Sequence, residues 1–403
     1  MPTPHARAAV PLPTRLPSGF AAATAKVGIR TGAGDDLLLL VAERPCAAAG
    51  VFTRNRFAAA PIACSRRHLA ASGGVARAVL INAGCANAAT GDRGDRDAAT
   101  SVRHVADAIG CPVEQVLVNS TGVIGRPLPI ESMVAAIPRL ARETDQGHVE
   151  PMARAIMTTD SGPKAAERTV PASNGGVIRI VGVAKGSGMI HPDMATMIGL
   201  LTTDAEIDAP TLAALLRDSA DRSFNRVSVD GDTSTNDSVF ALASGAAGAP
   251  ADPTEFVEAV HAVCLDLAGM IVADGEGANR VLEVEVTSAA TPAEARAVAL
   301  TVGSSLLVRT AVAGGDPNWG RIIAAIGRTT ATFEPERIRV EANLVPLFAD
   351  GGPVEDRDDA AARAFASDRV RIVIDLNAGH ARETHLTCDL TAEYVRINAD
   401  YTT

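Results

Sequence analysis

Short apolar runs bounded by turn residues alternate along the chain with stretches in which apolar positions recur every three to four residues, a pattern of α/β or α+β type. Segments 36–42, 78–82, 177–183, 224–229, 282–286 and 370–374 predict strands, because each packs β-branched or other apolar residues between turn-rich flanks. Two helices are predicted from their openings, Asp252-Pro253-Thr254-Glu255 and Thr291-Pro292-Ala293-Glu294, where a capping oxygen precedes a glutamate by three residues. After the first, Phe256, Val257, Val260, Val263, Cys264, Leu267 and Met270 recur at helical spacing and predict one buried stripe. Glycines 275 and 277 then release the chain into a loop carrying Glu276. The proline-rich first twenty residues read as an extended arm, and 245–254 and 350–363 as exposed connections.

Composition narrows the class. A chain of 403 residues with 47% hydrophobic and 21% charged composition is ordinary for a globular protein with two or three cores. Acids outnumber bases by 47 to 37, and the net charge of −10 argues against a general binder of nucleic acid or anionic membrane. The sequence pattern predicts neither an export signal nor a membrane span, so a cytoplasmic enzyme is expected. Six dispersed cysteines form no CxxC pair, which favours buried thiols over a zinc site or a disulfide framework.

The segment Lys185-Gly-Ser-Gly-Met-Ile-His-Pro-Asp-Met-Ala-Thr-Met197 crowds small residues, a lysine and a threonine between two apolar runs. By pattern alone it is a glycine turn. It is not a phosphate-binding loop, because the lysine precedes the glycines, and His191 with Asp193 lacks further metal ligands nearby. Asp230 opens a stretch that begins like a calcium loop, but Thr235 and Ala241 stand where glycine and glutamate are required. Trp319, the one tryptophan, reads as packing.

KGSGMIHPDMATM resembles the self-processing signature of the ornithine acetyltransferase (glutamate N-acetyltransferase) family. Further similar blocks follow in order: AGVFTRN at 49–55, STGVIG at 120–125, IMTTD at 156–160, FNRVSVDGDTSTND at 224–237, DGEGA at 274–278, DPNWGRI at 316–322 and EYVRINADYTT at 393–403. The resemblance implies cleavage between Ala195 and Thr196, with Thr196 as nucleophile both before and after the cut. A threonine hydroxyl needs a base, and a free α-amine on the same residue is one within reach. Thr121 and Gly122 would form the oxyanion hole. Ser161, Lys185, Thr196, Glu276, Asn398 and Thr403 would bind substrate, with Lys185, Asn398 and Thr403 at the amino-acid carboxylate and polar atoms and Glu276 at the cationic end. Two departures from the family pattern stand out. Ser161-Gly162 replaces the usual threonine and bulky residue before Pro163-Lys164, and Cys85 and Ala89 replace the common asparagine and cysteine.

The fold implied is a layered αββα-like core that resembles N-terminal-nucleophile enzymes but has its own topology, with a smaller C-terminal α/β module. The expected division is an alpha fragment over 1–195, the start of the beta fragment over 196–280, and a C-terminal module over 281–403. The implied reaction moves acetyl from N2-acetylornithine to L-glutamate with no cofactor required; acetyl-CoA is a further acetyl donor within the family. Two alpha and two beta fragments would assemble. Three rivals remain at this stage: an aminopeptidase or amidase passing the acyl group to water, a paralogous N-acyltransferase of secondary metabolism, and an uncleaved binding protein.

Overall fold

The computed structural model describes residues 12–147, 149–191 and 197–400. The chain divides into two compact units, one made of 12–225 with 232–271 and the other of 226–231 with 272–400.

In the larger unit the order is β1 (Phe20–Ala25), β2 (Leu37–Phe52), α1 (Ala60–Ala71), β3 (Val75–Cys85), α2 (Gly91–Ile109), β4 (Val116–Val123), α3 (Ile130–Glu143), α4 (Val149–Ala155), β5 (Lys164–Pro171), β6 (Val177–Lys185), β7 (Ile198–Ala205), α5 (Ala209–Arg222), β8 (Ser238–Gly248) and α6 (Pro253–Ala273). The strands connect as β4-β3-β2-β8-β7-β6-β5, with β1 on β2. These eight strands form one hydrogen-bonded sheet, and β2 runs through both halves of it. Residues 37–41 and 46–47 pair with β3 and residues 47–52 with β8, and the register with β3 breaks across the exposed Glu43-Arg44-Pro45.

That bend lets the two halves stack. Leu38, Leu40, Val79, Ile81 and Leu117 from one half meet Val181, Val183, Ile198, Leu200, Phe240 and Leu242 from the other in one core. The alternate residues Leu37, Leu39, Leu80, Val116 and Val118 face α2 and α3 instead. Both faces of these strands are therefore buried, which is why the sequence shows unbroken apolar runs such as Leu37-Leu38-Leu39-Leu40. On the far side α5 and α6 cover Ile180, Leu201 and Ala241 with Leu212, Leu216, Phe256 and Val260. The result is four layers, αββα. By length and mean hydropathy α6 could span a membrane, but its stripe of Phe256, Val260, Val263, Cys264 and Leu267 is buried in this core.

The smaller unit contains β9 (Val281–Ala289), α7 (Pro292–Gly303), α8 (Leu306–Gly314), α9 (Trp319–Ile326), β10 (Arg339–Ala342), β11 (Val345–Ala349), β12 (Gly352–Pro353), α10 (Asp358–Phe365), β13 (Arg369–Asp375), β14 (Ala381–Cys388) and α11 (Ala392–Asp400). Its sheet runs β12-β11-β10-β13-β9-β14, with β13 and β9 parallel. Here alternation is strict. Leu282, Val284 and Val286 face α7 and α9, while Glu283 and Glu285 pair with Arg369 and Arg371 on the wet face.

Most expected elements are present, and both predicted helices start where their caps stand. Asp252 accepts from Thr254 N–H at 2.8 Å and Thr291 from Glu294 N–H at 3.2 Å. The predicted strand at 224–229 is corrected: Phe224–Arg226 forms a 3₁₀ turn, and beyond it only Val227 bridges Leu386. The stretch 350–363, read as a plain connection, contains β12 and the start of α10.

Candidate active site

β3 and β4 run parallel with Gly84 opposite Gly122, and the register shifts between Gly84 and Cys85. Gly122 has φ +127°, and a Cβ there would lie 2.3 Å from the carbonyl carbon of Gly84. No other residue fits that backbone. Thr121 beside it is buried.

The end of β4 is held by a buried amide network. Asn119 Nδ2 donates to the Asn236 carbonyl at 3.1 Å and to the Ser238 hydroxyl, and its Oδ1 accepts the Ser120 N–H at 2.8 Å. The Ser120 hydroxyl donates to Asn82 Oδ1 at 2.6 Å. Asn236 Nδ2 in turn donates to the carbonyls of Ala86 (2.7 Å) and Ser120 (2.8 Å). Such a satisfied network fixes one arrangement of the strands it joins. The same segment grips the start of β7: Met197 N–H donates to Asp237 Oδ1 at 3.1 Å, and Ser238 N–H donates to the Met197 carbonyl at 3.1 Å. Three residues, 236–238, thus hold both Ser120 and Met197, the residue that follows Thr196 in the chain. Ala195, Thr196 and Thr403 lie outside the described residues.

A second cluster gathers at the ends of β5 and β6, where Lys164 pairs with Ala184, the neighbour of Lys185. Both lysines are 3% exposed. Asp160 accepts from Lys164 Nζ at 2.6 Å, from the Gly186 N–H at 2.7 Å and from the Thr158 N–H at 3.0 Å. Burial alone would push its carboxyl up, but the Lys185 charge, then that of Lys164, and the Gly186 N–H outweigh it and hold the group down at about 2. Thr159 and Ser187 share a hydroxyl hydrogen bond at 2.7 Å, whereas Ser161 is exposed. Asp160 and Lys164 are absent from the candidates read from the sequence. The signal available was the Asp-x-x-x-Lys spacing next to a substituted motif.

In the smaller unit Asn398 Nδ2 donates to Glu276 Oε2 at 2.8 Å, so those two candidates meet. The loop under Glu276 is tied to the start of α11, because Thr391 Oγ1 donates to the Gly277 carbonyl at 2.7 Å. Gly277 has φ +69°, and a Cβ there would stand 2.4 Å from the Tyr394 nitrogen. Below the loop Asp389 accepts the N–H groups of Asn279 and Arg280 at 2.8 and 3.0 Å. Burial raises its carboxyl, against the pull of those two amides.

The other motifs have structural roles. Trp319 packs on Phe348 with ring centroids 5.7 Å apart. Among the described residues no group of His, Cys, Asp or Glu is placed to hold a metal. Burial pushes the thiols of Cys46 and Cys264 up to about 12 and those of Cys64 and Cys388 to about 11, as inert core thiols require.

Residues 21–403 match the ArgJ family. The chain is 48% identical over 389 residues to the arginine biosynthesis bifunctional protein ArgJ of Nitratidesulfovibrio vulgaris, covering 96% of this chain and 98% of that one. It is also 48% identical over 394 residues to the protein of the same name from Deinococcus radiodurans, covering 98% and 99%. Among solved structures, ArgJ from Bacillus halodurans is 41% identical with a TM-score of 0.48, covering 50% of this chain and 98% of that one. An ornithine acetyltransferase from Mycobacterium tuberculosis, complexed with ornithine, is 34% identical with a TM-score of 0.39, covering 44% and 95%. The chain belongs to the ArgJ family, the acyltransferases of arginine biosynthesis.

Proposed function

We propose that the chain cuts itself between Ala195 and Thr196 and then carries acetyl from N2-acetylornithine to L-glutamate on the Thr196 hydroxyl. The observation that supports this most is the segment 236–238, which holds Met197 and the Ser120 end of β4 together. Thr196 is the residue bonded to Met197, and Thr121 and Gly122 directly follow Ser120 in the chain.

In the maturation step the Thr196 hydroxyl attacks the Ala195 carbonyl, the peptide nitrogen leaves as the α-amine of Thr196, and water opens the resulting ester. In turnover that amine takes the hydroxyl proton as the oxygen attacks the acetyl carbonyl. Thr121 and Gly122 receive the oxyanion, ornithine leaves with the proton, and the glutamate amine reverses the sequence. Lys185 is assigned to a substrate carboxylate, with Ser161, Asn398 and Thr403 at polar atoms and Glu276 at the cationic amine. The relay needs no cofactor, and acetyl-CoA can supply the same acetyl group. The fragments 1–195 and 196–403, the second comprising 196–280 and the module 281–403, are assigned to an assembly of two alpha and two beta chains in the cytoplasm.

Intact mass of the purified enzyme tests the reading. Fragments of about 20 and 21 kDa are expected from a chain of 41.3 kDa. The Thr196 fragment should gain an acetyl group from N2-acetylornithine and lose it to glutamate. Thr196→Ala should remain full-length and inactive. Active enzyme that is uncut, or that never carries acetyl, would refute the relay.

A further inference from the structure

The loop between β1 and β2 is folded around a single carboxylate. Asp36 is fully buried, and its side chain gathers four successive backbone N–H groups: Oδ1 accepts from Val27 at 2.7 Å, and Oδ2 from Gly28 at 3.1 Å, Ile29 at 2.8 Å and Arg30 at 3.2 Å. Lys26 closes the ring, 3.4 Å from Asp36 Oδ2 and donating to the Arg30 carbonyl at 2.8 Å. An anion held by a run of N–H groups fixes the backbone that supplies them. The carbonyl of the same aspartate accepts the Ala83 N–H at 2.9 Å, so Asp36 ties Arg30 to the end of β3. The approach there is close. A Cβ on Gly84, where φ is +112°, would lie 2.7 Å from the Arg30 nitrogen and 2.8 Å from its Cα. Gly84 in turn lies opposite Gly122, so the backbone of Arg30 is linked through one glycine to the proposed oxyanion donor.

The Arg30 side chain reaches a different element. Nη1 donates to the Met157 carbonyl at 2.7 Å, and Nη2 donates to the carbonyls of Asp35 at 2.7 Å and Arg154 at 3.5 Å. Arg154 stands in the last turn of α4, where outward carbonyls favour a cation. The Met157 carbonyl and the Thr158 N–H belong to one planar peptide unit. Arg30 holds its oxygen, and Asp160 accepts from its nitrogen at 3.0 Å. Asp160 then accepts the N–H of the Lys185–Gly186 peptide at 2.7 Å. Three hydrogen bonds and two rigid peptide planes therefore join Arg30 to the backbone of Lys185.

We propose that Arg30 is a positioning residue that sets the spacing between the oxyanion donor at Gly122 and the carboxylate-binding Lys185. Its backbone acts through Gly84, and its guanidinium acts through the Met157–Thr158 peptide and Asp160. This rests on the roles given above to Gly122 and Lys185. In an N-acetylated α-amino acid the acetyl carbonyl and the α-carboxylate are separated by a few stiff bonds, so a site that holds both must keep its two anchors at one distance. A planar fork of N–H groups suits that task, because it fixes several carbonyls at once where an ammonium acts as a point.

The test compares full-length-encoded wild type and Arg30→Ala, which keeps the backbone and Cβ at Gly84 and removes only the fork. N2-acetylornithine and its carboxamide are the two acetyl donors, with glutamate as acceptor and rates expressed per cleaved subunit by intact mass. Wild type should prefer the acid, and in Arg30→Ala kcat/KM for the acid should fall about 10-fold, mostly through KM, while that for the carboxamide stays within about 2-fold. A general loss of folded structure would lower both donors alike. An equal fall for both, or an unmoved preference, overturns the proposal. If Arg30→Ala stays uncleaved, Arg30→Lys decides: cleaved enzyme with a reduced preference for the acid supports the role, and wild-type preference or a second uncleaved product overturns it. Wild-type enzyme that shows no preference for the acid would instead defeat the reading of Lys185, and wild type that never carries acetyl would defeat the relay, so these failures are distinct from that of Arg30.

Discussion

Asp160→Asn removes one charge and little volume from a site where that charge serves two lysines. The Asp160 side chain is fully buried and Lys164 is 3% exposed at 2.6 Å. Lowering the carboxyl from 3.8 to about 2 corresponds to about 2 kcal/mol of stability at neutral pH. The substitution should cost more than that, because it removes the carboxylate from beside buried ammonium groups, and removing one partner of a buried pair costs about 3–5 kcal/mol. For a unit of this size that is a fall in Tm of about 10 °C at pH 7. The sign with pH follows from the depressed carboxyl. The stabilisation is complete above the unfolded value near 4 and is lost as pH falls toward 2, so the gap between wild type and variant should narrow over that window. Calorimetry at pH 7 and pH 3 measures both. Adding Lys164→Met should recover part of the loss, since one buried ammonium is removed together with its carboxylate partner. A Tm change under about 2 °C at pH 7, or a gap that does not narrow at pH 3, would refute the account of a buried charge cluster.

Two further predictions follow from backbone geometry and donors. Thr121→Ala should lower turnover about 100-fold to 1,000-fold in cleaved enzyme, and Gly122→Ala at least as much, because its Cβ would drive Gly84 away from 2.3 Å; steady-state rates on cleaved enzyme check both. Gly277→Ala should raise KM for N2-acetylornithine about 10-fold while intact mass still shows cleavage, because a Cβ 2.4 Å from the Tyr394 nitrogen must displace the loop that carries Glu276.

Legibility in the sequence followed burial. β6 and β13 were readable because apolar runs between turns leave little choice, and α7 because Thr291 caps it with its own side chain. The segment at 224–229 has the same apolar content, yet it enters the smaller unit through a single bridge to Leu386 and an ion pair from Arg226 to Glu383 at 3.0 Å. Nothing local in Val227 or Val229 distinguishes that setting from a strand interior. The doubling of β2 was hidden for a related reason. Its bend lies in Glu43-Arg44-Pro45, which by pattern is simply where a strand stops.

The site was legible where motifs carry it and opaque where folding does. Lys185, Glu276 and Asn398 came from resemblance, whereas Asp160 and Asp237 come from partners 26 and 40 residues away in sequence. Those two aspartates differ in what surrounds them. Asp160 sits among cations and backbone N–H groups, so its charge is matched in the resting protein and its loss should appear as stability. Asp237 Oδ1 accepts the Met197 N–H at 3.1 Å and so ties the start of β7 to the 236–238 segment. Calorimetry should therefore show a large loss for Asp160→Asn at pH 7 and a smaller one at pH 3, because the unfolded chain takes up the proton first.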